Sequence, residues 1–535
     1  MRMRISAWGT RHRAALIGAV LAFLYTAWAY PFIMESSVVA IDGRRYFNLF
    51  DDAMISMRYA WNLTHGHGLV WNPGQRIEGY TNLLLTLIMA PFTWLLDKSS
   101  AVLAVQLTGV LVVLACVYLV WRLAGATAAE LDPHIRSLFV GAVVLMTLTY
   151  YPLSFWSLTG METGVLTLLT LAALWVIERP AAAGTHASLY TAAALMGLAY
   201  LARPDSIMFG VPLLAYAILR TRDPDRGGAP WKGAAVSAVC LYLAFPVLQE
   251  GFRLLYYGAA LPNTYYLKLT GMPLIDRLQN GVGFIGLYLW THALLLAVAC
   301  AAVALQPDRR KAFYLVLVLL PIAYQIWIGG DLVSLWRFMT PVQPIAVILF
   351  ALGAVELLRR LAAPVSTPRG RRAFVLLGAA CVLSMDLIFG PQILLQRDWF
   401  PENFYTPRVN AAVALNQIAS RDASVGVLAA GVIPYYTGLR ADDFLGRTDA
   451  YIASLPADLS GAVAWNGMYS VPGHNKYDLR YSIEMLRPTY IEASAWGSED
   501  VSAWVSGHYV QVEYKGVVLE LKHAAPEVKW DLLMP

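Results

Sequence analysis

The stretch that decides the fold runs from residue 51 to residue 82 and reads DDAMISMRYAWNLTHGHGLVWNPGQRIEGYTN. It follows a first apolar run, residues 14–34, that is long enough to cross the roughly 30 Å hydrocarbon layer of a membrane. Asp51 and Asp52 are therefore adjacent carboxylates just outside a membrane span. Such a pair is hard to explain by side-chain packing, and we therefore expect the two carboxylates to have a catalytic or binding role.

The composition indicates an integral membrane protein. Of the 535 residues, 58% are hydrophobic and 14% are charged, whereas a soluble globular protein has about 25% charged residues. The net charge of +5 is modest, and the basic residues lie in short loops with no interleaved aromatic residues. Nucleic acid is therefore excluded as an expected partner.

Charge decides the topology. Cytoplasmic loops carry an excess of Lys and Arg, and the basic clusters share one side only if the apolar stretch 80–96, interrupted by Pro91, lies along the outer interface instead of crossing. This predicts about eleven spans with the N-terminus inside, at residues 14–34, 100–121, 137–154, 160–178, 187–202, 206–220, 233–250, 281–304, 312–328, 339–358 and 373–395. The clusters are Arg2/Arg4/Arg11/Arg13, residues 122–136, Arg220/Arg222/Arg226/Lys232, Arg309/Arg310/Lys311 and residues 359–372.

The prediction divides the chain into a transmembrane domain, residues 1–395, with its first outer loop at 35–99, and a small extracytoplasmic α/β domain, residues 396–535. In the second part, residues 409–418 are amphipathic and residues 424–436 resemble a buried strand. Residues 509–522 alternate around Lys515-Gly516, which predicts a hairpin.

This topology places the polar clusters of the chain on the outer face. Mixed charges at the outer rim suit a substrate with an anionic head and a long lipid tail, because Arg and Lys bind phosphate and stabilise charge on it as it leaves. The carboxylates would take a proton from an acceptor hydroxyl or stabilise positive charge on a sugar ring. The clusters contain Asp51, Asp52, Glu162, Arg203, Asp205, Arg253, Asn263, Tyr266, Lys268, Asp331 and Arg337.

The outer-loop stretch closely resembles the first outer loop of the mycobacterial terminal β-arabinofuranosyltransferases and their bacterial relatives, members of the GT-C superfamily of lipid-phosphate-sugar glycosyltransferases. The likeness covers most of the chain and recurs in Gly160-Met161-Glu162-Thr163, Arg203-Pro204-Asp205, residues 261–268, Gly329-Gly330-Asp331 with Arg337-Phe338, and Gly473-His474-Asn475-Lys476. This chain looks shorter than the mycobacterial enzyme. Met54 and Met57 stand where aromatic residues are more usual, and the tail carries Asp442-Asp443-Phe444.

The resemblance implies a GT-C fold with in-plane helices and a catalytic Asp in the first outer loop. It further implies a polyprenyl-phosphate-arabinofuranose donor and transfer to a glycan or glycoprotein outside the bacterial inner membrane. We expect Asp51 to be the main catalytic carboxylate with Asp52 as its partner, and the donor phosphate to bind Arg203, Arg253, Lys268 and Arg337. The expected sugar- or acceptor-binding residues are Arg58, Trp71, Tyr80, Asn82, Glu162, Asp205, Asn263, Tyr266, Asp331 and His474.

Several alternatives stay open at this point. Asp51 and Asp52 could cap the helix that follows them, or bind a divalent cation together with the phosphate; no other cofactor is expected. Since adjacent residues of a helix diverge by about 100°, we expect one chemical and one orienting or metal-binding role. Another sugar, such as mannose or aminoarabinose passed to protein or lipopolysaccharide, would fit the same fold. A transporter of lipid-linked sugars is the alternative from a different class.

Overall fold

The computed structural model describes residues 2–179, 186–221, 231–333, 335–395 and 402–533, with side chains from residue 15 onwards and, after the last gap, from residue 404. The side chains of Arg2, Arg4, Arg11 and Arg13, and the whole of Arg222 and Arg226, therefore lie outside the described residues. The helices before residue 396 are α1 (Arg2–Glu35), α2 (Asp51–Thr64), α3 (Leu83–Leu95), α4 (Lys98–Thr127), α5 (Pro133–Leu148), α6 (Tyr151–Leu158), α7 (Thr163–Glu178), α8 (Ala187–Ala202), α9 (Ile207–Thr221), α10 (Trp231–Tyr257), α11 (Asn263–Leu269), α12 (Leu274–Thr291), α13 (Ala293–Leu305), α14 (Arg309–Ile328), α15 (Gln343–Arg360), α16 (Pro368–Asp386) and α17 (Gly390–Ile393).

Each predicted span falls on helical residues. Six of the described helices are long and apolar enough to span a membrane. Two further pairs of bent helices could each form one span, which would bring the number to eight. The chain is thus a multi-pass membrane protein, and the number of eleven crossings stays a prediction. Two predicted spans, 137–154 and 281–304, were expected to be continuous helices, but each is broken. Helices α5 and α6 meet at 47°, and α12 and α13 meet at 79°.

The first outer loop forms a short hairpin followed by two helices. Strands β1 (Ser37–Val39) and β2 (Arg45–Phe47) pair antiparallel, and α2 begins at the acidic pair. Helix α3 packs against both α2 and α4 and coincides with the stretch expected along the outer interface; that placement stays a prediction.

The C-terminal region carries a five-stranded mixed sheet. Its strands are β3 (Ser424–Val427), β4 (Arg440–Asp443), β5 (Tyr490–Ile491), β8 (Tyr509–Tyr514) and β9 (Val517–Lys522), in the order β4-β3-β5-β9-β8. A small separate pair consists of β6 (Ala495–Trp496) and β7 (Glu499–Asp500). The helices are α18 (Glu402–Ile418), α19 (Val432–Thr437), α20 (Ala450–Ser454) and α21 (Ser502–His508).

Two local predictions in this region can be compared with the structure. The hairpin is present, with Tyr514 opposite Val517 and positive φ at both Lys515 and Gly516, as a tight turn between twisted strands requires. The buried run 424–436 is only partly a strand, because β3 ends at Val427 and α19 begins at Val432. Periodicity alone cannot separate a short buried strand from a short buried helix.

The first outer loop and the C-terminal sheet share one hydrophobic core. Ile55 and Tyr59 of α2 pack in the same cluster as Val425, Val427 and Leu519 of the sheet. The two regions are therefore held against each other by burial of apolar surface. The predicted boundary at 395/396 adjoins residues 396–401, which lie outside the described residues, so the division into two domains stays a prediction.

Candidate active site

A cavity of about 630 Å³ lies where the start of α2 meets the C-terminal region. Its walls come from α2, α6, α11, α18, the segment after α14 and four C-terminal segments, which follow β3, β4 and α20 and include residues 496–497. Among the described residues that line it are four carboxylates and four basic side chains: Asp51, Asp52, Asp331, Asp443, Lys268, Arg337, Arg408 and Arg447.

Asp51 lies at the beginning of α2 and faces the backbone of the C-terminal region. Its Oδ1 accepts a hydrogen bond of 3.1 Å from the amide of Gly431. A Cβ on residue 431 would lie 2.5 Å from that same oxygen, so the contact requires glycine. Burial raises the pKa of Asp51 to about 6, against the opposing effect of Arg408 and Arg447.

Asp52 faces two arginines instead. It forms an ion pair with Arg447, and its Oδ2 lies 3.4 Å from Nη1 of Arg337. The two adjacent carboxylates thus have different partners, as the angular separation of neighbouring helix residues predicts. No side chain caps the start of α2, whose N-cap is Phe50, so the helix-capping alternative finds no support in these contacts.

Arg337 connects Asp52 to Asp331. Its Nη2 donates a hydrogen bond of 3.0 Å to Asp331, and its guanidinium carbon lies 5.6 Å from the centre of the Trp156 ring. Burial raises the pKa of the Asp331 carboxyl, but Arg337 and Lys268 outweigh this effect and hold it below its ordinary value. Asp331 is therefore ionised at neutral pH.

The turn before Asp331 needs its two glycines. Gly329 and Gly330 have φ of +89° and +90°, and a Cβ on Gly330 would lie 2.6 Å from Sδ of Met468. The Gly-Gly-Asp turn thus permits a close approach between the segment after α14 and the C-terminal region.

Lys268 completes the basic side of the cavity. Its side chain passes over Gly473, where an added Cβ would lie 3.0 Å from the lysine Cε. Burial lowers the pKa of Lys268 to about 8, so its charge is partly lost at mildly alkaline pH.

His474 also lines the cavity. Burial lowers the pKa of its imidazole to about 3, so the ring is neutral at physiological pH. Its backbone carbonyl accepts a hydrogen bond of 2.9 Å from Nε1 of Trp496, which fixes another side chain of the cavity wall.

The four residues expected to hold a phosphate do not lie together. Arg203 forms ion pairs with Glu162 and Asp205, and its guanidinium carbon lies 4.1 Å from the centre of the Phe338 ring. It is absent from the described cavity lining. Only Lys268 and Arg337 of the expected set line the cavity.

Arg253 also lies apart from Lys268 and Arg337. Its side chain is 2% exposed and bound by two carboxylates, with Glu78 at 2.5 Å and Glu250 as the second partner. It is absent from the described lining of the cavity. The structure therefore does not bring Arg253 together with the other two cations, and its expected contact with phosphate stays a prediction.

Three residues expected to contact sugar are absent from the described lining of the cavity. Trp71 and Tyr80 are each only 3% exposed and belong to the core shared with the C-terminal sheet. Arg58 donates to the carbonyls of Trp71, Pro434 and Leu439 and to the Asn72 side chain. These side chains join the first outer loop to the C-terminal region, and the sequence motif did not distinguish this role from sugar binding.

The remaining expected residues are absent from the described lining of the cavity. Asn82 donates a hydrogen bond of 3.3 Å to Glu162, and Tyr324 donates one of 3.2 Å to Asp205. The side chain of Asn263 donates to three backbone carbonyls of the segment that carries Arg447. The backbone carbonyl of Tyr266 accepts a 2.8 Å hydrogen bond from Lys476.

Sequence reasoning missed several residues of the site. Arg447 and Arg408 are far from the first outer loop in sequence, and no local pattern connects them to it. The only available signals were the unusual acidic pair at 442–443 and the amphipathic stretch at 409–418. The aromatic side chains that were missed are Trp156, Phe404, Tyr405, Trp465 and Trp496.

The described part of the chain offers little support for a divalent-cation site at Asp51 and Asp52. No group of three or more His, Cys, Asp or Glu residues suited to a metal ion is found there. Asp52 already has two guanidinium partners.

Comparisons with known proteins agree with the architecture. The family profile described as "Dolichyl-phosphate-mannose-protein mannosyltransferase" matches residues 82–249, and "Domain of unknown function (DUF8728)" matches residues 400–517. The structure of ArnT from Cupriavidus metallidurans bound to undecaprenyl phosphate superposes with a TM-score of 0.59 at 12% identity, covering 97% of this chain and 99% of that chain. The oligosaccharyltransferase of Archaeoglobus fulgidus gives a TM-score of 0.51 at 11% identity, covering 95% and 75%.

This chain has the GT-C fold. Within that fold its sequence is similar to the terminal β-(1→2)-arabinofuranosyltransferase of Mycobacterium tuberculosis, at 26% identity over 278 residues, or 49% of this chain and 42% of the relative. The protein of the same name from Corynebacterium glutamicum is 24% identical over 351 residues, 56% of this chain and 48% of the relative. The matched region thus spans about half the length of these curated relatives or less. The GT-C resemblance predicted from the outer-loop motifs is confirmed.

Proposed function

We propose that this GT-C protein is a membrane glycosyltransferase of the bacterial inner membrane. It takes a pentofuranose, most simply arabinofuranose, from a polyprenyl-phosphate donor and passes it to a hydroxyl of an acceptor glycan or glycoprotein on the outer face. In this proposal the N-terminus is cytoplasmic and the C-terminal region extracytoplasmic.

One observation carries the proposal: Asp51 and Asp52 line the same cavity as Lys268 and Arg337. A lipid-phosphate sugar presents an anionic phosphate directly beside the reacting carbon of the sugar. A cavity that joins carboxylates to cations can bind the phosphate on its basic side and the sugar between the two. The aromatic walls add apolar surface for the ring and the lipid.

Lys268 and Arg337 are proposed to hold the donor phosphate. Arg337 presents a planar fork that matches phosphate oxygens, and Lys268 supplies a compact charge. Negative charge grows on the phosphate as it leaves, and cations already in place stabilise that charge in the transition state.

Asp51 is proposed to take the proton of the acceptor hydroxyl. The acceptor oxygen bonds to the anomeric carbon while the bond from that carbon to the phosphate oxygen breaks, and the lipid phosphate leaves with the electron pair. A carboxyl with a pKa raised to about 6 is a better base than an ordinary aspartate and is still mostly ionised at neutral pH. Asp52, paired with two arginines, is proposed to stabilise positive charge on the sugar.

The choice of a pentofuranose is supported by the curated relatives, both named as arabinofuranosyltransferases. A second candidate is a GT-C transferase of another sugar. It is favoured by the mannosyltransferase profile that matches residues 82–249 and by the likeness to ArnT bound to undecaprenyl phosphate. The two candidates use the same cavity and differ only in the sugar that it accepts.

Donor turnover by the purified, lipid-reconstituted protein tests the proposal. Polyprenyl-phosphate donors carrying arabinofuranose, mannose or aminoarabinose would be offered in parallel, with release of lipid phosphate as the readout. Asp51→Asn should reduce turnover by about 100-fold or more, whereas Asp422→Asn, an exposed carboxylate outside the cavity, should behave as wild type. Full activity in a variant carrying both Asp51→Asn and Asp52→Asn would contradict the proposed roles.

A further inference from the structure

Four charged side chains form a continuous row in the cavity. Arg447 pairs with Asp52, Asp52 approaches Arg337, and Arg337 pairs with Asp331. Arg337 thus lies between two carboxylates, at 3.4 Å from Asp52 and 3.0 Å from Asp331. Arg447 is the member of the row that the C-terminal region contributes.

The backbone around Arg447 is held in place from two sides. Nδ2 of Asn263 donates to the carbonyls of Gly446, Arg447 and Asp449 at 2.9, 3.0 and 3.2 Å. The Asp443 carboxylate accepts from the amides of Leu445 and Thr448 at 3.0 and 2.8 Å. The guanidinium of Arg447 is therefore presented to Asp52 by a fixed turn.

The charges in the row explain why this placement matters. Without Arg447, a single guanidinium would face two aspartates, and a phosphate approaching Arg337 would compete with both of them. A carboxylate that loses its partner in a partly buried site is left uncompensated, and Arg337 is the other described ion-pair partner of Asp52. Arg447 neutralises Asp52 and so removes one competitor for Arg337.

We propose that Arg447 is a positioning residue that holds Asp52 away from Arg337, so that Arg337 is free to bind the phosphate of a lipid donor. The inference rests on the proposed function in one respect, namely that a lipid phosphate binds at Arg337 and Lys268. It goes beyond that function because it makes the C-terminal region necessary for donor binding through the contact of Arg447 with Asp52.

Binding of undecaprenyl phosphate to the full-length purified protein tests this inference without any need for turnover. Arg447→Gln should weaken binding by about fivefold or more, and Asp52→Asn added to Arg447→Gln should restore it, because the two residues are coupled. Arg447→Lys, which keeps a cation for Asp52, should retain most of the affinity. Arg440→Gln removes an exposed arginine from the same region and should leave affinity unchanged.

The ionic strength of the assay separates this coupling from a general loss of positive charge. Long-range attraction is screened at high salt, whereas contact pairs in a partly buried site are screened much less. The difference between Arg447→Gln alone and Arg447→Gln with Asp52→Asn should therefore persist at 0.5 M salt. Affinity of Arg447→Gln equal to wild type, or no restoration by Asp52→Asn, would overturn the inference.

The outcome is distinguishable from failure of the proposed function. If wild type binds undecaprenyl phosphate and the coupling is present, the role of Arg447 stands even when no sugar donor is turned over. If wild type does not bind undecaprenyl phosphate, the phosphate site and the inference both fail. If binding is normal but Arg447 is uncoupled from Asp52, only the inference fails.

Discussion

The side-chain amide of Asn263 donates a hydrogen bond of 3.0 Å to the backbone carbonyl of Arg447. The two residues are separated by most of the C-terminal half of the chain, and they connect α11 in the membrane-proximal region to the turn that carries an arginine into the cavity. The C-terminal sheet is thus attached to the site through defined polar contacts as well as through the shared core.

Replacement of Asn263 by Ala should lower activity through this turn. The change removes the amide donor from one buried and two partly buried backbone carbonyls and should cost about 1–3 kcal/mol of stability. We expect turnover to fall by about tenfold as Arg447 loses its position. Thermal melting and donor turnover measure the two effects, with Asn416→Ala, whose side chain donates one hydrogen bond of 3.3 Å, as the milder comparison. Wild-type turnover in Asn263→Ala would contradict the positioning role of this contact.

The acid limb of the activity profile should lie near the pKa of Asp51, which burial raises to about 6. Asp51 must be ionised to accept a proton, so kcat/KM should fall as the pH drops through this value. Arg408 opposes the upward shift, and Arg408→Gln should therefore move the limb to higher pH while Arg408→Lys leaves it near its wild-type position. If the pH at which kcat/KM falls is unchanged in Arg408→Gln, a group other than Asp51 controls the acid limb.

Asp51→Asn should stabilise the protein at neutral pH although it removes activity. The folded-state pKa of Asp51 lies above the ordinary value of 3.8, so the folded state binds more protons than the unfolded state between about pH 4 and 6. Stability from this group is therefore lost as the pH rises through that window, and the Asn variant avoids this loss. We expect a gain of about 1–3 kcal/mol at pH 7.5 and none near pH 4. Melting temperatures in detergent at both values of pH measure it, and an equal gain at pH 4 would contradict this origin.

Titration of Lys268 should determine the pH at which activity and phosphate binding decline on the alkaline side. Burial lowers its pKa to about 8, so the cation proposed to hold the phosphate is lost from the free protein as the pH rises through that value. Binding of undecaprenyl phosphate should weaken in parallel. Lys268→Arg keeps its charge to far higher pH and should extend binding upward, while Lys268→Met should bind weakly at every pH. An unchanged alkaline limb in Lys268→Arg would exclude Lys268 as its origin.

Arg58 should matter for stability and not for sugar recognition. Its guanidinium satisfies three buried carbonyls and the Asn72 side chain, so Arg58→Ala should destabilise the protein by about 3 kcal/mol or more. Arg44→Ala, an exposed arginine of the same loop, should have no measurable effect on melting temperature. A specific loss of acceptor affinity with unchanged stability in Arg58→Ala would restore the role first expected from the motif.

Local sequence was enough for the membrane class, for the approximate positions of the helices in the predicted spans and for the hairpin at residues 509–522. Hydropathy and turn chemistry act over a few residues, so they can be read without knowledge of the rest of the chain. The motifs that carry the family resemblance also singled out Asp51, Asp52, Lys268, Asp331, Arg337 and His474, which line one cavity.

Only the tertiary structure decided which polar residues face that cavity. Arg203 and Arg253 have the same chemistry as Arg337 and, like it, pair with carboxylates, but they are absent from the described lining of the cavity. Trp71 and Tyr80 belong to the core shared with the C-terminal sheet. Arg447 reaches Asp52 across a separation of 395 residues. The physical reason is that burial and ion pairing depend on which distant segments come into contact. A short sequence pattern does not contain that information.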